Sequence, residues 1–126
     1  FKFFRVARHQ CSEVFETCAQ NGWHNVLLVG VGDLCEIATL CANVWQIKPV
    51  AVYDPAYPGN EFCGLQVCSS LDHVPNYDAV ILVDLGLPRE QVFEFETVLG
   101  VDRVFVPDIL GTARARGVNS LSNDNG

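Results

Sequence analysis

Two closely spaced glycines and an acid 22 residues beyond the second of them are the part of this sequence best suited to chemistry. Gly30-Val-Gly32-Asp33-Leu34-Cys35 reads as G-x-G-x-x-G with cysteine in the last place. In that motif the first glycine permits a tight turn. The second lets a ligand approach the backbone without meeting a Cβ, and the third packs helix on strand. Asp54 lies at the ~20-residue offset where an acid accepts hydrogen bonds from a ribose hydroxyl. Val83-Asp84-Leu85-Gly86 supplies a third segment that would close over a bound molecule. The same residues also suit a purely structural role, in which the glycines only make a turn and Asp54 only caps a loop. The acids argue in that direction. Asp33 and Glu36 suit a helix N-terminus electrostatically, yet they would repel a phosphate placed there.

No catalytic set emerges. Cys35 would open a helix, where a thiol can be activated, but its place in the turn makes it a packing residue, and flanking Asp33 and Glu36 oppose the thiolate. His73 follows Asp72 directly, and neighbours on a short turn do not face each other. Lys48 and Arg89 are expected to pair with some of the many acids rather than bind substrate. His9, His24 and His73 are scattered and no C-x-x-C occurs, so no metal-ligand spacing appears.

The elements that must position these residues follow from periodicity. Cys11, Val14, Phe15 and Cys18 form a helical stripe that predicts a helix over 9–21, closed by Asn21-Gly22. Residues 25–32 read as a strand buried on both faces. Leu34, Ile37, Ala38, Cys41, Val44 and Trp45 predict a helix from Asp33 that Lys48-Pro49 stops, and 50–54 form a second strand. This is a βαβ unit with parallel strands. Residues 54–64 are turn-rich and predict a loop, 65–67 a short extended piece, and 69–72 a helical turn with a serine cap. A strand over 78–83 precedes a helix with Pro88 in its first position, Val92, Phe95 and Leu99 inward and Gly100 at its end. Residues 103–106 make a last strand. The expected fold is α/β, a three-layer Rossmann-like, open and mostly parallel sheet with flanking helices. Its domain spans 9–110, with 1–8 a flank from a parent protein and 111–126 an irregular tail.

Composition narrows the partners. The chain has 126 residues, a net charge of −7, 49% hydrophobic and 18% charged residues, which exclude a disordered chain. Residues 1–8 carry +3, residues 9–113 carry −11 and the remainder carries +1. Nucleic acids are bound by clustered Lys and Arg, so the acidic core offers no direct nucleic-acid surface. No apolar run approaches the ~18 residues of a membrane span. The start FKFFRVARH, with neither an initiator Met nor a leader, suggests a piece of a larger protein. Most of the six cysteines fall where a small hydrophobe is wanted, which points to a reduced, cytoplasmic chain.

The stretches NVLLVGVGDLCEIATL, VAVYDP, GNEFCGLQVCSSLDHV, YDAVILVD and VDRVFVPD resemble the NAD(H)-binding domain of the Rex family of redox-sensing repressors. More broadly they are similar to CoA-binding-like Rossmann domains. The resemblance covers roughly residues 24–110, with Gly59 and Cys63-Gly64-Leu65-Gln66-Val67 representing the loop before a small strand. It implies NAD or NADH as ligand. Gly30, Gly32 and the backbone of Asp33 and Leu34 would then contact the pyrophosphate, Asp54 the adenosine ribose, and Val83 and Asp84 the nicotinamide side. This chain departs from the pattern at Cys35, which replaces the third glycine, at Glu36, where Rex often has a base, and at the added acid Asp84. Rex's winged helix and domain-swapping helix are not among these residues.

The expectation is therefore a non-catalytic domain sensing a nucleotide or dinucleotide, cut from a multidomain cytoplasmic regulator, a transcriptional one included, with a homodimer as a candidate assembly. Two alternatives stand beside it. The same motif order occurs in N-terminal accessory domains of nucleotide-sugar acyltransferases of the left-handed β-helix type. A degenerate Rossmann domain serving protein association is the other.

Overall fold

The computed structural model describes residues 3–84 and 88–107. Its elements in chain order begin with α1 (Phe3–Gln20), β1 (Asn25–Val29), α2 (Asp33–Val44) and β2 (Lys48–Tyr53). There follow β3 (Glu61–Phe62), β4 (Leu65–Cys68), a 3₁₀ turn (Leu71–His73) and β5 (Ala79–Leu82). The chain continues through α3 (Arg89–Leu99), a second 3₁₀ turn (Val101–Arg103) and β6 (Val104–Phe105). The strands form one sheet in the order β3-β4-β2-β1-β5-β6, parallel throughout except for β3, which pairs antiparallel with β4. This is the expected α/β, Rossmann-like architecture. The chain leaves β1 toward β2 and β4, then crosses back to β5 on the other side of β1. The strand order thus reverses between β1 and β5, and the crevice beyond their carboxyl ends is where such sheets bind ligands.

Alternation along the central strands builds two cores. Val26 and Leu28 of β1 face a cluster that contains Ala7, Cys11, Phe15 and Cys18 of α1 and Leu34, Ile37, Ala38 and Cys41 of α2. Leu27 and Val29 face the other side, with Ala51, Tyr53, Val80, Leu82 and Phe95 of α3. Side chains alternate across a strand, so a run such as NVLLV must be apolar throughout to be covered on both faces.

Several boundaries differ from expectation. Helix α1 begins at Phe3, and Ala7 is fully buried one turn before Cys11, so the helix expected over 9–21 starts six residues earlier. Helix α2 ends at Val44, which is 77% exposed and so not part of the inner stripe. The terminator is Gln46 in the left-handed region at φ 58°, not Lys48-Pro49. Ile47 N donates to Ala42 O at 2.9 Å and Gln46 N to Asn43 O at 3.3 Å, the paired bonds of a Schellman end. Lys48 and Pro49 instead open β2. Pro49 pairs with Val26 where the β1–β2 register shifts, an irregularity that tolerates a residue without an N–H.

The end of the expected loop is a hairpin. Cys63 (φ 54°) and Gly64 (φ 79°) form the two-residue turn joining β3 to β4, both in the left-handed region that primed hairpin turns require. The serine cap is present, Ser70 Oγ accepting from Asp72 N at 3.2 Å. Pro88 precedes α3 as its N-cap rather than its first residue, and Gly100 at φ 100° closes the helix. Leu85, Gly86 and the tail over 111–126 lie outside the described residues.

Candidate functional site

The turn from β1 into α2 is held from below by β2. Gly30 N donates to Tyr53 O at 3.0 Å, and Val31 N donates to Asp54 Oδ2 at 2.9 Å. The other oxygen, Asp54 Oδ1, accepts from Ala56 N at 2.9 Å, while Asp54 N donates to Cys68 O at 3.0 Å. Asp54 therefore bridges the glycine turn to its own loop and joins the end of β2 to β4. Each carboxylate oxygen has two lone pairs, so these bonds leave acceptor capacity for a hydroxyl.

The two glycines do different work. Gly30 has φ 106°, and a Cβ there would collide with the Asp84 side chain, which ends the β5 segment. Only glycine meets both conditions. Gly32 is extended, and among the described residues no atom lies within 4 Å of the place its Cβ would take. Among the described residues nothing demands glycine there, and they leave the space in front of it open. Gly32 is also the N-cap of α2, with no side-chain cap, and its carbonyl accepts from Glu36 N at 3.1 Å as the helix begins. The first amides of α2 thus present a partial positive charge at an unobstructed backbone.

Side chains of the first helical turn divide by direction. Leu34 and Cys35 point into the core, Cys35 fully buried, whereas Asp33 and Glu36 are exposed. Burial pushes the Cys35 thiol up to about 12, helped by Cys63, Asp54, Cys11 and Glu36. It is a neutral packing group at physiological pH. Val83 is buried in the α1/α2 core, with its N–H donating to Val29 O at 2.9 Å, so the β1–β5 pairing runs one residue past the strand. Asp84 is half-buried against Gly30. The structure thus gathers Gly30, Gly32, Asp33, Asp54 and Asp84 around one turn, while Leu34 and Val83 contribute backbone and core packing.

Other candidates separate. His73 is exposed on its turn, and its carbonyl accepts from the Cys68 thiol at 3.8 Å. Among the described residues neither Lys48 nor Arg89 has an acid within 4.0 Å, and the ion pair within that distance is His9–Glu13. Lys48 opens β2, and its position at the amino end of the strands sets it far along the sheet from Asp54. No group of three or more His, Cys, Asp or Glu among the described residues is arranged to hold a metal. None of their helices is long and apolar enough to cross a membrane. All six cysteines are free, five buried and Cys63 exposed.

Two surface features went unforeseen. A groove of about 400 Å³ lies between α3 and the first 3₁₀ turn, lined by Leu71, Tyr77, Phe93, Phe95 and Val98 among others. A second, of about 390 Å³, runs between α1 and α2 along Phe4, Arg5, Arg8, Ile37 and Leu40. The signal for the first was present, since Phe93 and Val98 fall off the inward stripe of α3.

NAD(H), implied by the resemblance, fits this turn only on one side. The open Gly32 backbone and the Asp54 carboxylate suit a ribose. The pyrophosphate position is flanked by exposed Asp33 and Glu36, and the Val31 amide is already spent on Asp54. These two charges oppose the pyrophosphate of the dinucleotide. No protein-family model, no curated protein and no solved structure matches the chain.

Proposed function

We propose that this chain is a non-catalytic, ligand-sensing domain that binds a nucleotide-class small molecule at the β1–α2 turn, within a larger regulatory protein. The observation that carries this reading is Gly32: extended, uncapped, at a helix N-terminus, with open space where its side chain would be. A glycine that the protein's own packing does not require is explained by a molecule approaching its backbone. Asp54, at the end of the neighbouring strand, supplies the acceptor for a ribose hydroxyl. The resemblance to Rex and to CoA-binding-like domains supports the same class of ligand, and the free thiols support a reducing, cytoplasmic setting. Calorimetric titration with NAD, NADH, CoA, a nucleotide-sugar and adenosine tests it. Binding of any one, lost on Gly32→Val, is the expected result; no heat and no thermal shift with all five at millimolar concentration refutes it.

A second reading, association with another protein, is favoured by the apolar groove along α3. Phe93 and Val98 are 68% and 78% exposed beside it. Sedimentation velocity over a wide concentration range distinguishes the two, because a chain that associates through this face changes its sedimentation on Phe93→Ser and one that only binds a nucleotide does not.

A further inference from the structure

We propose that the outer face of α1 and α2 is the interface of a two-fold dimer, in which α1 packs antiparallel against α1 of a second copy of this chain. This face lies across the sheet from α3.

The charges of α1 run against its own dipole. Arg5 and Arg8 stand in its amino half, Glu13 and Glu16 in its carboxyl half, and all four are exposed. A helix favours acids near its N-terminus and cations near its C-terminus. Helix α1 has no acid in its first turn and no base in its last. An antiparallel neighbour of the same sequence turns this layout into complementarity. The two-fold that sets Arg5 opposite Glu16 of the second copy also sets Arg8 opposite Glu13, because both pairs are centred between Gln10 and Cys11. Within one copy, Glu13 meets His9 at 3.5 Å, and among the described residues neither arginine has an acid within 4.0 Å.

Apolar residues fall on the same two-fold. Helix α1 leads into the amino end of β1 and α2 into that of β2, so both run the same way along the parallel strands. The Cys41 thiol donates to Arg8 O at 3.7 Å, which sets Cys41 and Ala42 level with the middle of α1. Turning α2 about that level brings Leu40 opposite Asn43 and Val44 of the second copy. Leu40 and Val44, one turn apart, are 64% and 77% exposed. Beside them lies the groove of about 390 Å³ that Phe4, Arg5, Arg8 and Ile37 line, with Phe4 62% exposed. Burial of these side chains drives association, and the charge pairs fix its direction. Glu36, one turn before Leu40, passes beyond the end of α2 in the second copy, so the two Glu36 carboxylates stay apart.

The mixture of signs favours a second copy over other occupants. An anionic membrane or a uniformly acidic peptide would suit the arginines and then meet Glu13 and Glu16. A copy of the same face suits both, and two-fold dimers are the commonest closed assembly.

The test is sedimentation velocity from micromolar to millimolar chain, with near-ultraviolet circular dichroism confirming that each variant is folded. The natural chain is expected to show a monomer–dimer equilibrium that added salt weakens. Arg5→Glu/Arg8→Glu makes the four charges all acidic and Glu13→Arg/Glu16→Arg makes them all basic. Each variant alone should dimerise at least roughly tenfold more weakly. An equimolar mixture of the two should form a heterodimer within roughly tenfold of the natural affinity, since every reversed charge then meets its opposite. Leu40→Ser/Val44→Ser should weaken the natural dimer, whereas Phe93→Ser on α3 should leave it unchanged. A natural chain that stays monomeric at millimolar concentration overturns the proposal, as does a mixture of the two reversed variants that stays monomeric. A dimer lost on Phe93→Ser and indifferent to charge reversal assigns the interface to α3 instead. Binding of a monomeric chain to phosphatidylserine vesicles or to an acidic amphipathic peptide, lost on Arg5→Glu/Arg8→Glu, gives the face to another occupant and equally overturns it.

Discussion

The Asp84 side chain lies directly against the Cα of Gly30: the Asp84 Cα stands 3.2 Å from where a Gly30 Cβ would project, and its Cβ is closer still. This contact joins the carboxyl ends of β1 and β5 at the point where the strand order reverses. It places an acid at the mouth of the crevice and makes the first glycine of the turn a structural necessity.

Gly30→Ala should therefore destabilise the fold by about 3 kcal/mol, combining a left-handed backbone penalty with overpacking against Asp84. Gly32→Ala, extended and facing open space, should cost about 1 kcal/mol or less. Urea denaturation of both variants checks the contrast. The same Gly32→Ala protein should lose nucleotide affinity, which separates the binding role from the structural one.

Asp54→Ala removes the acceptor of both Val31 N and Ala56 N. Hydrogen bonds to a charged group contribute more than neutral ones, so a loss of about 2 kcal/mol is expected. Asp54→Asn should recover part of it, since its single carbonyl oxygen can serve one of the two amides. Amide hydrogen exchange at Val31 and Ala56 should accelerate in the alanine variant while β1 stays protected.

Burial pushes the thiols of Cys11, Cys18 and Cys35 up to about 12 from 9.0. A thiol whose folded pKa is raised keeps its proton when the unfolded chain has lost it. Stability should thus be unaffected by these groups below pH 9 and fall as pH climbs from about 9 toward 12, by up to about 1.4 kcal/mol per pH unit for each thiol. Denaturation midpoints across that range check the sign. Thiol labelling at neutral pH should modify exposed Cys63 first, with the five buried thiols reacting only on unfolding.

Phe95 and Phe93 lie two residues apart on α3 and should behave oppositely. Phe95 is 3% exposed, its ring edge-on to Tyr53 at 6.4 Å, so Phe95→Ala should cost about 3–5 kcal/mol. Phe93 is 68% exposed, and Phe93→Ala should stay within about 0.5 kcal/mol. Thermal unfolding of the two variants reads the difference directly.

Local chemistry accounts for how much of this was legible in advance. Apolar runs such as NVLLV and the stripe Cys11–Phe15–Cys18 specify strand and helix because burial on two faces or one face demands those periods. Gly22 and Gly100 stop their helices through the left-handed conformation glycine favours. The end of α2 is not legible in the sequence because Gln46, not a glycine, takes that conformation, and only the paired bonds to Ala42 and Asn43 reveal it. The start of α1 is not legible either, because Phe3 to Arg8 mixes cations with apolar residues, and Ala7 becomes a core position only when α2 is packed beside it.

Taken alone, the sequence determined the α/β class, the glycine turn, the acid at the end of the second strand and the distribution of charge, since each depends on residues near one another in the chain. Tertiary structure decided what those residues do. Pairing β5 beside β1 pressed Asp84 onto Gly30, and pairing β2 on the other side gave Asp54 the Val31 amide. Both contacts cross more than 20 residues of chain, so no local pattern encodes them. They arise because strand order, set by packing two apolar faces at once, brings three strand ends to a single turn.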